Sequence, residues 1–539
     1  MFGIIKKIWN GETESVTAAA LIVGGASLAS RLVGVLRDRI LASTFGAGDV
    51  LDAYYAAFRI PDFLYNLVIL GALSAAFIPV FSEYLDRRER GEAWRLAERV
   101  LSVVGAVMLG ACLVLYVAAP AIVPLTVPGF DGEKLALTVT LSRTMLLSTF
   151  FLALSGVMGG ILQSTRRFFA FSLSPVFYNI GIIIGALFLV PVMGPVGLGV
   201  GVVIGAFLHL MTQASAAIGL GIRRIPAPSF RDPGVRRILA LMAPRTMGAA
   251  VTQINLLVIQ GIASLLIAGS VTVMNLAMNL QSVPVGIIGV SFAVAAFPAL
   301  SRAGSHDRTS FRDAFGETAR KIVFLVLPAM ALMMLLRAQI VRIILGDGAF
   351  DWDATIRTAD ALAVFCVSLV AQALIPLLAR AFYAVQDTWT PLWIGIASEA
   401  ANIVLALALA KPFGLVGLVT AFSIASWLSC ILLWWRLRAS VGSLGTQDVL
   451  VSLWKTFAAC IILAGAALPV RIYIGSVYPL RAFWQVALQF GASAFAGILA
   501  FWIASWLMRS RDLQEIHEAI ARKFWKRARI VEGAEEARG

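Results

Sequence analysis

Fourteen mostly apolar stretches alternate with short polar or charged connections along the chain. They run roughly 17–43, 52–84, 100–125, 136–162, 168–190, 196–220, 238–267, 271–301, 322–341, 359–384, 389–410, 414–435, 449–470 and 483–508. A helix crossing a bilayer needs about 20 predominantly apolar residues, and each stretch meets that length. None alternates apolar and polar residues as barrel strands do. Helices are the other structure that satisfies its backbone inside lipid. The pattern therefore predicts an all-α polytopic membrane protein of about 14 transmembrane helices. The polar start MFGIIKKIWNGETES leads into the first stretch without a small-residue cleavage site, which reads as an uncleaved first helix rather than a signal peptide.

The pattern also recurs. Residues 163–199 contain a Gln-led connection, Pro175, Asn179 and a G-x-x-G-L turn at Gly194. Residues 386–419 contain the same features at Pro391, Asn402 and Gly414. The segment SAAFIPVFS at 74–82 is echoed by AVAAFPALS at 293–301. An offset of about 220 residues predicts two related six-helix lobes, at 1–222 and 223–440. Internal repeats of this kind are the mark of transporters that bind cargo between related bundles. Spans 13 and 14 (441–508) and a basic tail (509–539) stand outside the repeat.

Composition agrees: 60% of residues are hydrophobic and only 14% are charged, against about a quarter charged in soluble domains. The net charge of +14 is a matter of topology and not of nucleic-acid binding. With the N-terminus inside, 29 of the 44 Lys and Arg residues fall in cytoplasmic segments, 6 in the opposite loops and 9 within spans. That asymmetry places both termini in the cytoplasm. In the tail, Leu513, Ile516, Ile520 and Phe524 recur at helical spacing beside Arg522, Lys523, Lys526, Arg527 and Arg529. Such a helix suits an anionic inner leaflet, although a solvated tail accounts for the same residues. Cys112, Cys366, Cys430 and Cys460 lie in apolar stretches with neither metal-ligand nor disulfide spacing, so they read as small buried hydrophobes.

Charge inside spans is costly and marks a pathway or a partner. The first stretch carries Arg31, Arg37, Asp38 and Arg39, and the second carries Asp52, Arg59 and Asp62, with Pro61 interrupting the helix. Arg31 and Asp38, and likewise Asp52 and Arg59, are seven apart and share a helix face. One reading is a water-filled cationic cavity; the other is a set of ion pairs pinning the two helices. Arg245 follows Pro244 early in span 7, and Asn279 with Gln281 precedes Pro284 in span 8; both spans are candidates for the same cavity. Glu399 and Asn402, three apart in span 11, and Thr420 in span 12 form an oxygen-rich set that suits Na⁺, or equally a Glu held in helix packing. No nucleotide-binding, serine-hydrolase or metalloprotease motif is present.

The stretch SRLVGVLRDRILASTFGAGDVLDAYYAAFRIPDFL followed by GALSAAFIPVFSEY resembles the opening of the MurJ (MviN) lipid II flippases, which share a superfamily with the MATE drug antiporters. The resemblance implies a carrier, not an enzyme, that alternates access to a cationic cavity. Its cargo would be undecaprenyl-pyrophosphate-linked peptidoglycan precursor, moved to the outer leaflet of the bacterial cytoplasmic membrane. It implies functional roles for Arg31, Arg37 and Asp52. Where the family carries a basic pair and an acid after the helix-2 proline, this chain has Tyr65, Asn66 and Leu70. Where the family carries an Arg in helix 8, this chain has Asn279. Arg59 and Arg245 are candidates to restore part of that charge. Expected partners are the lipid-linked precursor, membrane lipids and other cell-wall synthesis proteins, with Na⁺ as a candidate coupling ion. Export of another polyprenyl-linked glycan, MATE-like cation-coupled export, and a membrane glycosyltransferase or ligase remain alternatives.

Overall fold

The computed structural model describes residues 16–86, 90–222, 226–304 and 306–518. The polar start before residue 16 and the basic end of the tail from 519 on, with Ile520, Phe524 and Arg522, lie outside the described residues. Among the described residues all regular structure is helical, and most of it falls in fourteen rods. They are α1 (Val16–Phe45), α2 (49–86), α3 (Arg90–Thr126), α4 (Gly132–Ser164), α5 (Phe168–Met193), α6 (Val196–Ala217) and α7 (Pro233–Ser264), then α8 (Ser270–Ala303), α9 (Arg308–Leu335), α10 (352–384), α11 (389–413), α12 (415–441), α13 (Thr446–Val477) and α14 (Phe483–Leu507). Among the described residues nine helices are long and apolar enough to cross a membrane, or ten with the 46° bent pair of α10 counted as one. The tally is below fourteen because α1 is not among them, α2 is broken into pieces, α7 keeps only Ala250–Ser264 as an apolar run, and α11 and α12 run on as one helix through Gly414.

The helices begin earlier than the apolar pattern where an amphipathic turn precedes the membrane. α9 starts at Arg308, well before 322, with Asp307 capping it by accepting from the Ser310 amide at 3.0 Å. Breaks follow prolines. Pro61 offers no N–H to the Ala57 carbonyl, and the helix interrupts at Phe58; Ser142 Oγ of α4 donates to that carbonyl instead, at 3.2 Å. Beyond this break α2 passes through a π-helical segment, Asn66–Leu73.

The repeat is written in the backbone as well as in the sequence. Gly194 (φ 65°) and Gly414 (φ 58°) take the same left-handed conformation at the α5–α6 and α11–α12 turns. Arg166 and Gln386 likewise have φ near 60°, and each connection closes with the same bonds: Arg167 N to Leu162 O at 2.8 Å, and Asp387 N to Phe382 O at 3.0 Å. α8 carries a π segment, Val285–Val290, in the place where α2 carries Asn66–Leu73. The chain therefore consists of two related six-helix lobes followed by α13 and α14.

By packing, the chain divides into two compact units. The first comprises residues 1–276, 344–355 and 403–418, and the second comprises 277–343, 356–402 and 419–539. In the first, α4 is the most enclosed rod and lies among α2, α3 and α6. Leu41, Leu51, Tyr54, Leu141, Met145, Ile182 and Val202 make a core there. The α5–α6 contact is backbone against backbone: a Cβ on Gly181 would come within 2.2 Å of Gly205 Cα, the close approach that small residues permit between membrane helices. In the second unit Phe311, Phe315, Phe324, Leu377, Phe382 and Phe501 join α9, α10 and α14. There Arg320 of α9 pairs with Asp512 and Glu515 of the helical stretch after α14, at 3.6 and 3.2 Å. Large apolar side chains such as Val117, Leu125, Trp454, Phe495 and Trp506 stay exposed, which is the surface a bilayer covers. The four cysteines are buried and unpaired.

Candidate translocation site

One end of the first unit is knitted together by its turns. Gly46 (φ 64°) closes the α1–α2 turn, and Ala349 N donates to Ser43 O at 2.8 Å. The α7–α8 turn packs on the α1–α2 turn so closely that a Cβ on Gly269 would reach Ala47 O at 2.2 Å. The α3–α4 turn joins through Gly129 N, which donates to Ser264 Oγ at 3.1 Å. At the other end Arg99 pairs with Asp232, and Arg237 with Glu83 at 2.7 Å.

Asp52 belongs to the knitted end, three residues into α2. Its carboxylate is 1% exposed. It accepts from Gly269 N, Thr272 N and Thr272 Oγ1, all at 2.8 Å, and pairs with Lys134 of α4 at 2.8 Å. Lys134 also meets Asp49 at 2.7 Å. A carboxylate on the first amides of a helix satisfies donors that have no partner within that helix and stabilises its positive end. In this structure Asp52 caps α8 and ties it to α2 and α4.

Deeper in the unit lies Arg37. At 1.5 Å per residue it sits about 12 Å along α1 from Phe45, and Arg31 about 21 Å. Arg37 donates from Nε and Nη2 to Asp38 Oδ1 at 3.0 and 2.7 Å, and from Nη1 to Asn179 Oδ1 of α5 at 2.9 Å. Asn179 is fixed in turn by its own bond to Pro175 O at 3.0 Å. Tyr54, Tyr55 and Tyr178 surround the pair. Arg59, about 15 Å into α2, has neutral partners: Nε donates to Gln260 Oε1 at 2.5 Å and Nη2 to Asn275 Oδ1 at 3.0 Å. Asp62 follows one turn on, half-buried and near Tyr54, Tyr65 and Tyr178. Arg31 is exposed on α1. The structure thus brings Arg37, Arg59 and Asp62 into one helical unit with hydroxyl and amide groups around them. Such a set offers charged and neutral hydrogen-bond donors to an anion but pairs no nucleophile with a base.

A family model described as the lipid II flippase MurJ matches residues 41–486. The chain belongs to the MurJ family. It is 32% identical over 430 residues to a probable lipid II flippase MurJ of Rhizobium tropici, covering 77% of this chain and 80% of that protein. It is also 32% identical over 446 residues to the lipid II flippase MurJ of Burkholderia cenocepacia, covering 78% and 83%. Among solved structures it resembles a lipid II flippase MurJ in an inward closed conformation, with TM-score 0.75 and 25% identity over 90% of this chain and 98% of that one. A multidrug MATE transporter of the MOP superfamily shares the fold, with TM-score 0.67 and 17% identity over 79% and 99%.

Against this MurJ frame, Tyr65 and Asn66 are half-buried where the family carries its basic pair, and Asn279 is half-buried on α8 in the second unit. The Arg245 side chain lies outside the described residues. Glu399 and Asn402 are one turn apart on α11, and Thr420 starts the second turn of α12 beyond Gly414. Their one carboxylate and neutral oxygens suit a hard monovalent cation in kind. Sequence reasoning missed Lys134, read as a loop residue, and Asn179, read as a repeat marker. The recurrence of Asn at 179 and 402 was the available signal for the second.

Proposed function

We propose that this chain flips lipid II, the undecaprenyl-pyrophosphate-linked peptidoglycan precursor, from the inner to the outer leaflet of the bacterial cytoplasmic membrane. Both termini would lie in the cytoplasm, on the strength of the Lys and Arg asymmetry. The observation that carries the reading is the Arg37 guanidinium, deep within the helices and shared between Asp38 and Asn179. A pyrophosphate cannot cross hydrocarbon bare, because burying its charge without a partner is prohibitive. Arg grips phosphate oxygens with paired N–H groups. Asp38 keeps the guanidinium compensated between cargoes and yields it when pyrophosphate arrives. Arg31, Arg59, Arg245 and Asp52 complete the path in this scheme, with the prenyl tail left in lipid.

The site alternates its exposure between the two faces, and the protein transfers no chemical group. An electrical potential negative inside favours outward movement of an anion by about 2.3 kcal/mol per charge per 100 mV. Na⁺ at Glu399, Asn402 and Thr420 is the proposed second driver, and cell-wall synthesis proteins that take up lipid II are the proposed partners. The test is lipid II translocation in cells depleted of their own flippase. Arg37→Ala and Arg31→Ala should abolish it at unchanged membrane level, and replacing external Na⁺ by K⁺ should slow it. Normal translocation by both variants would refute the cationic path.

A further inference from the structure

The second unit contains a cavity of about 400 Å³ that the translocation site does not use. It opens among the end of α9, the start of the short helix Arg337–Ile344, the first turns of α10, the end of α13 and the start of α14. Arg337, Arg471, Asp360, Gln339 and Gln489 supply its polar lining, and Ile472 and Gly475 line it from α13. That volume is within the range of small-ligand sites. Asp360, Arg471 and Gln489 lie six to eight residues inside their helices, about 9–12 Å from the helix ends. On the same two helices, Tyr473 of α13 is 70% exposed and Trp484 of α14 is 55% exposed. Exposed Tyr and Trp at helix ends mark the headgroup level of a bilayer.

The charges define the ligand. Arg471 is anchored by donating from Nη1 to Leu335 O at 2.6 Å. Arg337 faces Asp360 at 3.5 Å, with both side chains about half exposed. Gln339 donates to Gln489 Oε1 at 2.9 Å, and Gln489 donates to Arg471 O at 2.8 Å. Gln339 Oε1 is buried and closed to a ligand, so the half-exposed Asp360 carboxylate is the acceptor that the cavity offers. Two guanidinium groups and one carboxylate leave a net charge of +1, the counterpart of one phosphodiester. Cavity, net charge and the half-exposed Asp360 acceptor together describe an anionic headgroup that carries its own hydroxyl donors.

We propose that this cavity binds the headgroup of an anionic glycerophospholipid, with its phosphodiester on Arg337 and Arg471 and its hydroxyls on Asp360. Arg471, Ile472, Gly475 and Gln489 come from α13 and α14, so the helices outside the repeat supply four of the eleven residues that line the site. The cargo of the translocation site plays no part in this binding.

The test uses the full-length protein, purified in detergent and titrated with phosphatidylglycerol, phosphatidylethanolamine or phosphatidylcholine of identical acyl chains, with bound lipid counted by native mass spectrometry. Phosphatidylglycerol should be retained in preference to the other two. Arg337→Gln should weaken its binding about fivefold to tenfold, the effect of one charge-assisted bond at a half-exposed site. Asp360→Asn should strengthen it by removing the opposing charge. A misfolded protein does not give opposite signs at two half-exposed partners, so the pair keeps the test decisive. Equal retention of the three lipids would overturn the proposal, as would tighter phosphatidylethanolamine binding that Asp360→Asn destroys. Displacement of phosphatidylglycerol by an undecaprenyl pyrophosphate would also overturn it, by assigning the cavity to the cargo.

Discussion

Asp52→Ala separates two roles open to one residue: ligand of the cargo, or cap of α8. The substitution removes an acceptor from Gly269 N, Thr272 N and Thr272 Oγ1 and a partner from Lys134. Loss of a helix cap costs about 1–2 kcal/mol, and breaking a buried ion pair about 3–5 kcal/mol. Lys134 keeps Asp49, which offsets much of the second figure, and the terms overlap, so about 3–4 kcal/mol is the expected total. With unfolding entropy near 2.1 cal/mol/K per residue, a chain of 539 residues should lose about 3 °C in its unfolding midpoint. The buried, unpaired cysteines make a thiol-reactive dye a direct reporter of that midpoint. Asp52→Asn should lose about half as much, since its amide oxygen serves one donor while its NH₂ opposes another. A midpoint within about 1 °C of the parent, combined with lost translocation, would refute the capping argument and return Asp52 to the cargo.

Gly269→Ala should destabilise the protein by several degrees in the same dye assay, because the new methyl meets Ala47 O at 2.2 Å; Gly194→Ala, also at positive φ but in open space, should cost only about 1–2 kcal/mol. Arg59→Lys keeps the charge but reaches only one of the two amides now spanned, so lipid II translocation should fall less than with Arg59→Met. At the start of α11, burial works to raise the Asp387 carboxyl, but bonds from Thr390 and Trp389 and the charge of Arg436 outweigh it and hold it below its ordinary value. Its capping contribution is therefore complete above the ordinary carboxylate pKa of about 4 and disappears as pH falls through the lowered value. The stability margin of the parent over Asp387→Ala, about 1 kcal/mol at neutral pH, should hold down to about pH 4 and shrink as the pH falls below it.

The fourteen apolar stretches matched fourteen rods because lipid imposes one rule on every residue it touches, and that rule is local. The repeat was legible for the same reason: the Gly194 and Gly414 turns need glycine wherever they occur, and the requirement shows in the chain. What stayed hidden was pairing over distance. Asp52 and Thr272 are 220 residues apart, Arg37 and Asn179 are 142 apart, and nothing in the span of either residue names the other. Lys134 looked like a loop lysine because it is polar and follows a turn, yet its ammonium is drawn inward by two carboxylates. Charge within spans thus signalled that partners exist without saying which.

The π-helical segments of α2 and α8 bear on how these rods can be edited. A π turn holds one residue more than an α turn of the same hydrogen-bond ladder, so Asn66–Leu73 and Val285–Val290 each store a single surplus position. Removing one residue from either would let the ladder close as plain α-helix. Five residues of the π turn would become four over about the same angle, so the two sides would keep their facing; the same ladder closing without the deletion would instead turn one side by about 100° relative to the other. In α2 that rotation would carry Phe77 and Phe81, now fully enclosed, out of register with Arg59 and Asp62 while leaving the helix unbroken. A one-residue deletion inside the π segment thus keeps the phase that the same deletion elsewhere in α2 would shift, and the π turn is what lets the charged upper half and the aromatic lower half of one span face inward together.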